Sequence, residues 1–245
     1  MLSLAFNNLC FMPEVIISGS EGRIEGRYHH SENPNAPIAL VFHPHPLHGG
    51  TMNNKVVYHL YHCFVKAGFS VLRINFRGIG KSEGKFDNGL GELTDAATAL
   101  DWLQLQNPTS SSVWIGGFSF GAWIAMQLLM RRPEIQSFIA IAPPLNKYDF
   151  SFLSPCPVSG MILQGDLDSI VPESEAGELA RKIPKQKHID IYYKVVKGAD
   201  HFFRTKMDEM NKNITGYIVE RLNAQKPVKT KIDRRRRQTV PDRPQ

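Results

Sequence analysis

Gly117-Phe118-Ser119-Phe120-Gly121 places a hydroxyl between two glycines, with the apolar run Val113–Gly117 before it and the amphipathic stretch Ala122–Met130 after it. On a sharp strand-to-helix turn a serine presents its Oγ outward, and flanking glycines remove side chains the turn would force together. Such a hydroxyl becomes a nucleophile once a histidine takes its proton and a carboxylate orients that histidine. The plainer alternative is a tight turn whose serine caps a helix. The pentapeptide alone is weak evidence, and its strand-turn-helix setting is what favours the chemical reading.

The partners should follow the serine in the order acid, then histidine. Gly165-Asp166-Leu167-Asp168-Ser169-Ile170-Val171-Pro172 comes after the predicted strand Val158–Leu163, so both carboxylates fall at a strand's carboxyl end. Two histidines lie beyond Asp168: His188, which opens a strand at the wrong end, and His201, which follows the last predicted strand, Ile189–Val195. Ser119, one of the two aspartates and His201 therefore belong to one edge of a sheet, where open α/β sheets bind ligands.

A developing oxyanion needs two backbone N–H donors. One is expected from Phe120, the residue after the serine. The other is expected from His43-Pro44-His45-Pro46-Leu47-His48-Gly49-Gly50, after the predicted strand Ile38–Phe42. Pro44 and Pro46 have no N–H to give, which leaves His45 or Leu47. His43 and His45 could instead hold a metal. No His-Glu-x-x-His motif accompanies them, and no carboxylate lies between Pro37 and Phe76, so neither metal nor cofactor is expected. Arg77-Gly78-Ile79-Gly80-Lys81-Ser82 misses a phosphate-binding loop by having Asn75 for glycine. It misses a dinucleotide fingerprint by having Glu83 for glycine. It is read as a glycine-rich loop beside the entrance to the site.

The elements that must position these residues alternate short apolar runs with amphipathic stretches, the pattern of a mostly parallel sheet with helices on both faces. Glu14–Ser18 and Arg23–Tyr28 open the body as an antiparallel hairpin. Further strands are predicted at Ser70–Ile74, Val113–Gly117 and Phe138–Ile141. Helices are predicted over Val56–Ala67, Leu93–Leu103, Ala122–Met130, from Pro172 at a first turn, and through Met207, Met210, Ile214, Ile218 and Leu222. Only Ala142–Pro157 separates two of the late strands, so any lid is a short apolar flap.

The 245 residues carry a net charge of +6, and all of it belongs to the end of the chain. Residues 224–245 hold eight lysines and arginines, Arg234–Arg237 among them, against Asp233 and Asp242. The body thus gives no electrostatic sign of nucleic acid. The tail is expected to be disordered, with a polyanion such as RNA or an anionic membrane surface as its conceivable partner. The three cysteines are too scattered for a disulfide framework. Residues 1–12 lack the basic start and cleavage pattern of a signal peptide, and no run is long enough for a membrane span, so a cytoplasmic protein is expected. The division is an extension over 1–12, one domain over 13–223, and a tail over 224–245.

Taken together, His-Pro-His-Pro-x-x-Gly-Gly, Asn-Phe-Arg-Gly-x-Gly-x-Ser-x-Gly and Gly-Phe-Ser-Phe-Gly resemble the α/β-hydrolase superfamily. Within it they are similar to a compact bacterial group described as dienelactone-hydrolase-like, over about Pro13 to Leu222. The resemblance implies an α/β-hydrolase fold with a minimal lid, and a Ser119, His201, Asp168 triad. Asp168 is preferred over Asp166 because Gly165, Asp168, Val171 and Pro172 match the related Gly-x-x-Asp-x-x-Val-Pro segment. Dienelactone hydrolases use cysteine at the elbow, where this chain has Ser119. The expected activity is cofactor-free hydrolysis of a small-molecule ester or related acyl compound through an acyl-enzyme. A thioesterase, a small serine peptidase and a non-catalytic binding scaffold are the alternatives.

Overall fold

The computed structural model describes residues 13–183 and 189–224. The expected N-terminal extension, His188 and nearly all of the basic tail lie outside them. Ala224, assigned to the tail by its composition, instead closes the last helix.

Eight strands form one sheet: β1 (Glu14–Gly19), β2 (Gly22–His29), β3 (Ile38–Phe42), β4 (Ser70–Ile74), β5 (Val113–Phe118), β6 (Ile135–Ile141), β7 (Gly160–Gly165) and β8 (Ile191–Val196). Their order is β1-β2-β4-β3-β5-β6-β7-β8. β1 and β2 make the antiparallel hairpin, β2 is antiparallel to β4, and β4 to β8 run parallel. Every residue of β3, β4, β5 and β7 is buried, as strands covered on both faces must be.

Five helices supply that cover: α1 (Lys55–Lys66), α2 (Leu90–Gln106), α3 (Phe120–Leu129), α4 (Glu173–Lys182) and α5 (Met207–Ala224). The two faces make two cores. On one, Val56, Leu60 and Phe64 of α1 meet Met210, Ile214 and Ile218 of α5 over Trp114 and Val71. On the other, Leu93, Leu100 and Leu103 of α2 and Ile124, Met126 and Leu128 of α3 pack over Leu40, Leu72 and Ile115. Among the described residues, no helix is long and apolar enough to cross a membrane.

Several boundaries differ from those read in the sequence: β6 starts at Ile135 rather than Phe138, and α2 runs from Leu90 to Gln106 rather than from Leu93 to Leu103. β7 begins at Gly160, because pairing with β6 starts at Phe138↔Gly160 and Val158 precedes it. β8 begins at Ile191, paired with Gly160. Pro172 is the N-cap of α4 rather than its first turn, with φ −56° and ψ 137°.

After β4 the chain passes over β3 and returns as β5, so the order reverses beside β3. The loops after β3 and β5 diverge there and leave a crevice at the carboxyl edge of the sheet.

Candidate active site

Ser119 joins β5 to α3 with φ 53° and ψ −119°, a conformation that costs a non-glycine residue about 1–3 kcal/mol. The surroundings impose it. Ser119 N–H donates to Ile141 O at 2.8 Å, and Ser119 O accepts the Ala122 N–H at 2.9 Å. A Cβ on Gly117 would stand 2.2 Å from Gly121 O, and one on Gly121 would stand 2.5 Å from the carbonyl oxygens of Phe42 and His43. Only glycine lets β3, β5 and α3 approach so closely. Phe120 opens α3, so its N–H belongs to the first turn, which has no intrahelical acceptor.

Asp168 follows β7 and is almost wholly buried. Its Oδ2 lies 2.7 Å from His201 Nδ1 and accepts Gln164 Nε2–H at 2.9 Å. Its Oδ1 accepts the N–H groups of Ile170 at 2.9 Å and Val171 at 2.8 Å. Burial pushes this carboxyl up, but the His201 contact and the two backbone donors outweigh it and hold the group below the ordinary aspartate range. With Nδ1–H given to Asp168, the His201 Nε2 is left to exchange protons elsewhere. Asp166 is exposed, and its Oδ1 accepts Gly198 N–H at 2.6 Å, which ties the loop after β7 to the loop after β8. The two aspartates thus have separate tasks.

Ser119, Phe120, His45 and His201 line one cavity of about 430 Å³. Lys147 and Tyr148, from the segment between β6 and β7, also line it. Tyr148 stacks on Trp123 of α3 with centroids 4.3 Å apart, which holds that segment over α3. A concavity of about 590 Å³ between this segment and α4 contains neither Ser119 nor His201.

His45 caps a single 3₁₀ turn, Pro46–His48. Its Nδ1 accepts the Leu47 N–H at 3.2 Å, so that donor is occupied, and the Leu47 side chain is exposed. His45 thus remains as the loop's candidate donor. Partial burial lowers the His45 imidazole, and His48 and Lys147 lower it further.

His43 points into the protein, away from any ligand. Its Nδ1–H donates to Pro44 O at 2.6 Å and its Nε2 accepts Phe76 N–H at 3.0 Å, so neither nitrogen is free for a metal. Complete burial drives it down to about 4.

Several positioning residues escaped sequence reasoning. Gln164 holds Asp168. Asn75 Oδ1 accepts Met52 N–H at 2.8 Å, while Arg73 Nη1 donates to Met52 O at 2.7 Å, so the chain just past Gly50 is clamped on both sides. The available sign was a polar residue in or directly after an otherwise apolar strand. The Arg77–Ser82 loop, expected beside the entrance, is not among the residues that line the cavity. Arg77 pairs with Asp95 of α2, and Ser82 accepts Glu25 N–H while donating to Asn75 O, so this loop braces the frame behind the site.

The pattern that defines the X-Pro dipeptidyl-peptidase (S15) family matches residues 27–230. The chain belongs to this family. An uncharacterized protein of Rickettsia prowazekii is 60% identical to this S15 member over 212 residues, which are 85% of this chain and 89% of the relative. A candidate α/β hydrolase of unknown function from Agrobacterium tumefaciens is 55% identical, with a TM-score of 0.84 over 87% of this chain and 98% of that one. A Xanthomonas campestris α/β serine hydrolase without a lid is 30% identical, with a TM-score of 0.78 over 85% and 94% of the two chains. The S15 chain is a serine hydrolase of the α/β-hydrolase fold, as its motifs led one to expect.

Proposed function

We propose that the protein hydrolyses a carboxylic ester or closely related acyl compound, with Ser119 as nucleophile, His201 as base and Asp168 as its orienting carboxylate. The observation that carries this reading is one cavity shared by a strained Ser119 and by His201, whose other nitrogen is bound to a buried carboxylate. His201 Nε2 takes the Ser119 proton while Oγ attacks the carbonyl carbon. The N–H groups of Phe120 and His45 receive the negative charge on the carbonyl oxygen. His201 then gives its proton to the departing group, and water enters by the same steps in reverse order.

The family description favours a second reading, removal of an X-Pro dipeptide from a free amino terminus. That substrate brings an α-amino group that is largely protonated at neutral pH, which calls for a carboxylate in the pocket. No aspartate or glutamate is among the described residues lining the cavity, whose one permanently charged side chain is Lys147. This charge supports a neutral or anionic acyl compound over a cationic peptide terminus.

A fluorophosphonate probe tests for a catalytic serine, and paired assays with p-nitrophenyl acetate and alanyl-prolyl-p-nitroanilide separate the two substrates. Labelling and ester turnover are expected, and Ser119→Ala should lower turnover by on the order of 10⁴ or more. Folded protein that resists the probe would leave a binding scaffold, and preferred cleavage of the anilide would leave the peptidase.

A further inference from the structure

A second concavity, of about 810 Å³, adjoins the first and shares Asn54 and Phe202 with it. It lies between the N-terminal turns of α1 and α5; Tyr58, Phe202 and Met207 give it apolar surface, and Lys55, Arg204 and Asp208 add charged groups to its lining. Resting on the ester-hydrolase reading above, we infer that this groove is the leaving-group subsite and that the alcohol it accepts is large and apolar.

The direction follows from where the proton must go. In acylation the Ser119 Oγ–carbon bond forms, the bond from that carbon to the alkoxy oxygen breaks, and the proton on His201 Nε2 passes to that oxygen, releasing the alcohol. The transfer needs the alkoxy oxygen within hydrogen-bond reach of His201, about 2.6–3.2 Å. The alcohol's carbon chain therefore leaves Ser119 on the His201 side. The next residue there is Phe202, and beyond Phe202 lies the groove. The rest of the first cavity, whose lining includes Pro144, Lys147 and Tyr148, is left for the acyl portion.

The dividing wall is held in place. The Phe202 ring meets Phe118 at 5.8 Å and His201 at 5.1 Å between centroids, and Arg204 lies over it at 4.9 Å. Arg204 is itself paired with Asp200 at 2.9 Å. Tyr58 is exposed on the groove, although a large aromatic surface gains from being covered. An aliphatic or aromatic alcohol laid along Phe202 would cover it.

The test uses the full-length protein and two ester series. In one, acetate is held constant and the alcohol grows from ethyl to hexyl to 2-phenylethyl. In the other, ethanol is held constant and the acyl group grows from acetyl to hexanoyl. The ratio of kcat/KM for hexyl over ethyl acetate should be about tenfold or more, the scale of a few methylenes in an apolar site. It should fall several-fold towards one in Tyr58→Ala and in Met207→Ala, while the hexanoyl-to-acetyl ratio keeps its wild-type value. Serine-dependent hydrolysis indifferent to the alcohol overturns the groove and leaves the hydrolase reading standing. So does an alcohol preference that neither variant alters, or a change confined to the acyl series. Folded protein with no turnover on either series, and none that Ser119→Ala removes, overturns both.

Discussion

The loops that follow β4 and β7 are both crowded with charge, yet they serve different ends. After β7, Asp168 spends its carboxylate on two backbone amides, a buried glutamine and His201, and so transmits the rigidity of the sheet to a group facing the cavity. After β4, Arg77 makes a two-pronged pair with Asp95 and does not line the Ser119 cavity. Farther out on the same loop, Glu83 pairs with Arg23 in the open. The comparison teaches that burial and the chosen partner, rather than charge itself, decide whether an ionic group orients a cavity residue, braces the frame or does neither.

The sharpest way to break the comparison is Asp168→Asn, which keeps the shape and removes the charge that stabilises the imidazolium. Turnover should drop by on the order of 10⁴, with the fold retained in circular dichroism. Asp166→Asn should cost less than tenfold, since its remaining oxygen can still accept Gly198 N–H. Equal losses would dissolve the distinction between the two aspartates. In the other loop the effect should move from rate to stability. Asp95→Ala leaves Arg77 buried without its partner and should cost about 3–5 kcal/mol in urea unfolding. Glu83→Ala, at an exposed and solvent-screened pair, should shift the urea midpoint far less. Near-equal costs would mean that burial is not what separates them.

His43 ties the loop after β3 to the loop after β4, because its ring accepts Phe76 N–H while its Nδ1–H donates to Pro44 O. Folded, it titrates at about 4, against 6.5 for the ordinary imidazole. The unfolded chain therefore binds the extra proton between those values, and stability rises with pH across them. The contribution is complete above about pH 6.5 and is lost as pH falls towards 4, amounting to about 3 kcal/mol. Urea midpoints of wild type and His43→Leu from pH 4.5 to 7 check this. A slope as steep in the variant as in wild type would remove His43 as the cause.

These contrasts also mark what the sequence could reveal. Ile38–Phe42 and Ser70–Ile74 were legible residue for residue, since a short, predominantly apolar run bounded by proline, glycine or a polar loop has few other solutions. The elbow was legible because glycine spacing is a backbone requirement written locally. Asp168 needed a family resemblance, since two carboxylates two residues apart look alike until one is seen to be buried. Gln164, Asn75 and His43 act on backbone groups or side chains brought to them by the fold, and pairings such as Asn75 with Met52 leave no mark in local composition. The Arg77–Ser82 glycines suggested proximity to the site for the same reason: their positive φ values fit a turn, and a turn does not say which side of the sheet edge it occupies.

The backbone at Ser119 has a consequence for when the site comes into being. A φ of 53° is unfavourable in an isolated turn, and its offsets come from elsewhere: Ile141 O on β6, and the contact of Gly121 with the carbonyls closing β3. Ser119 therefore acquires its geometry only when three strands and α3 have docked, so assembly of the site is as cooperative as assembly of the sheet. A partly folded chain is silent. In a denaturant titration, esterase activity and the far-ultraviolet signal should disappear together, and activity outlasting the sheet would show that the elbow can stand alone.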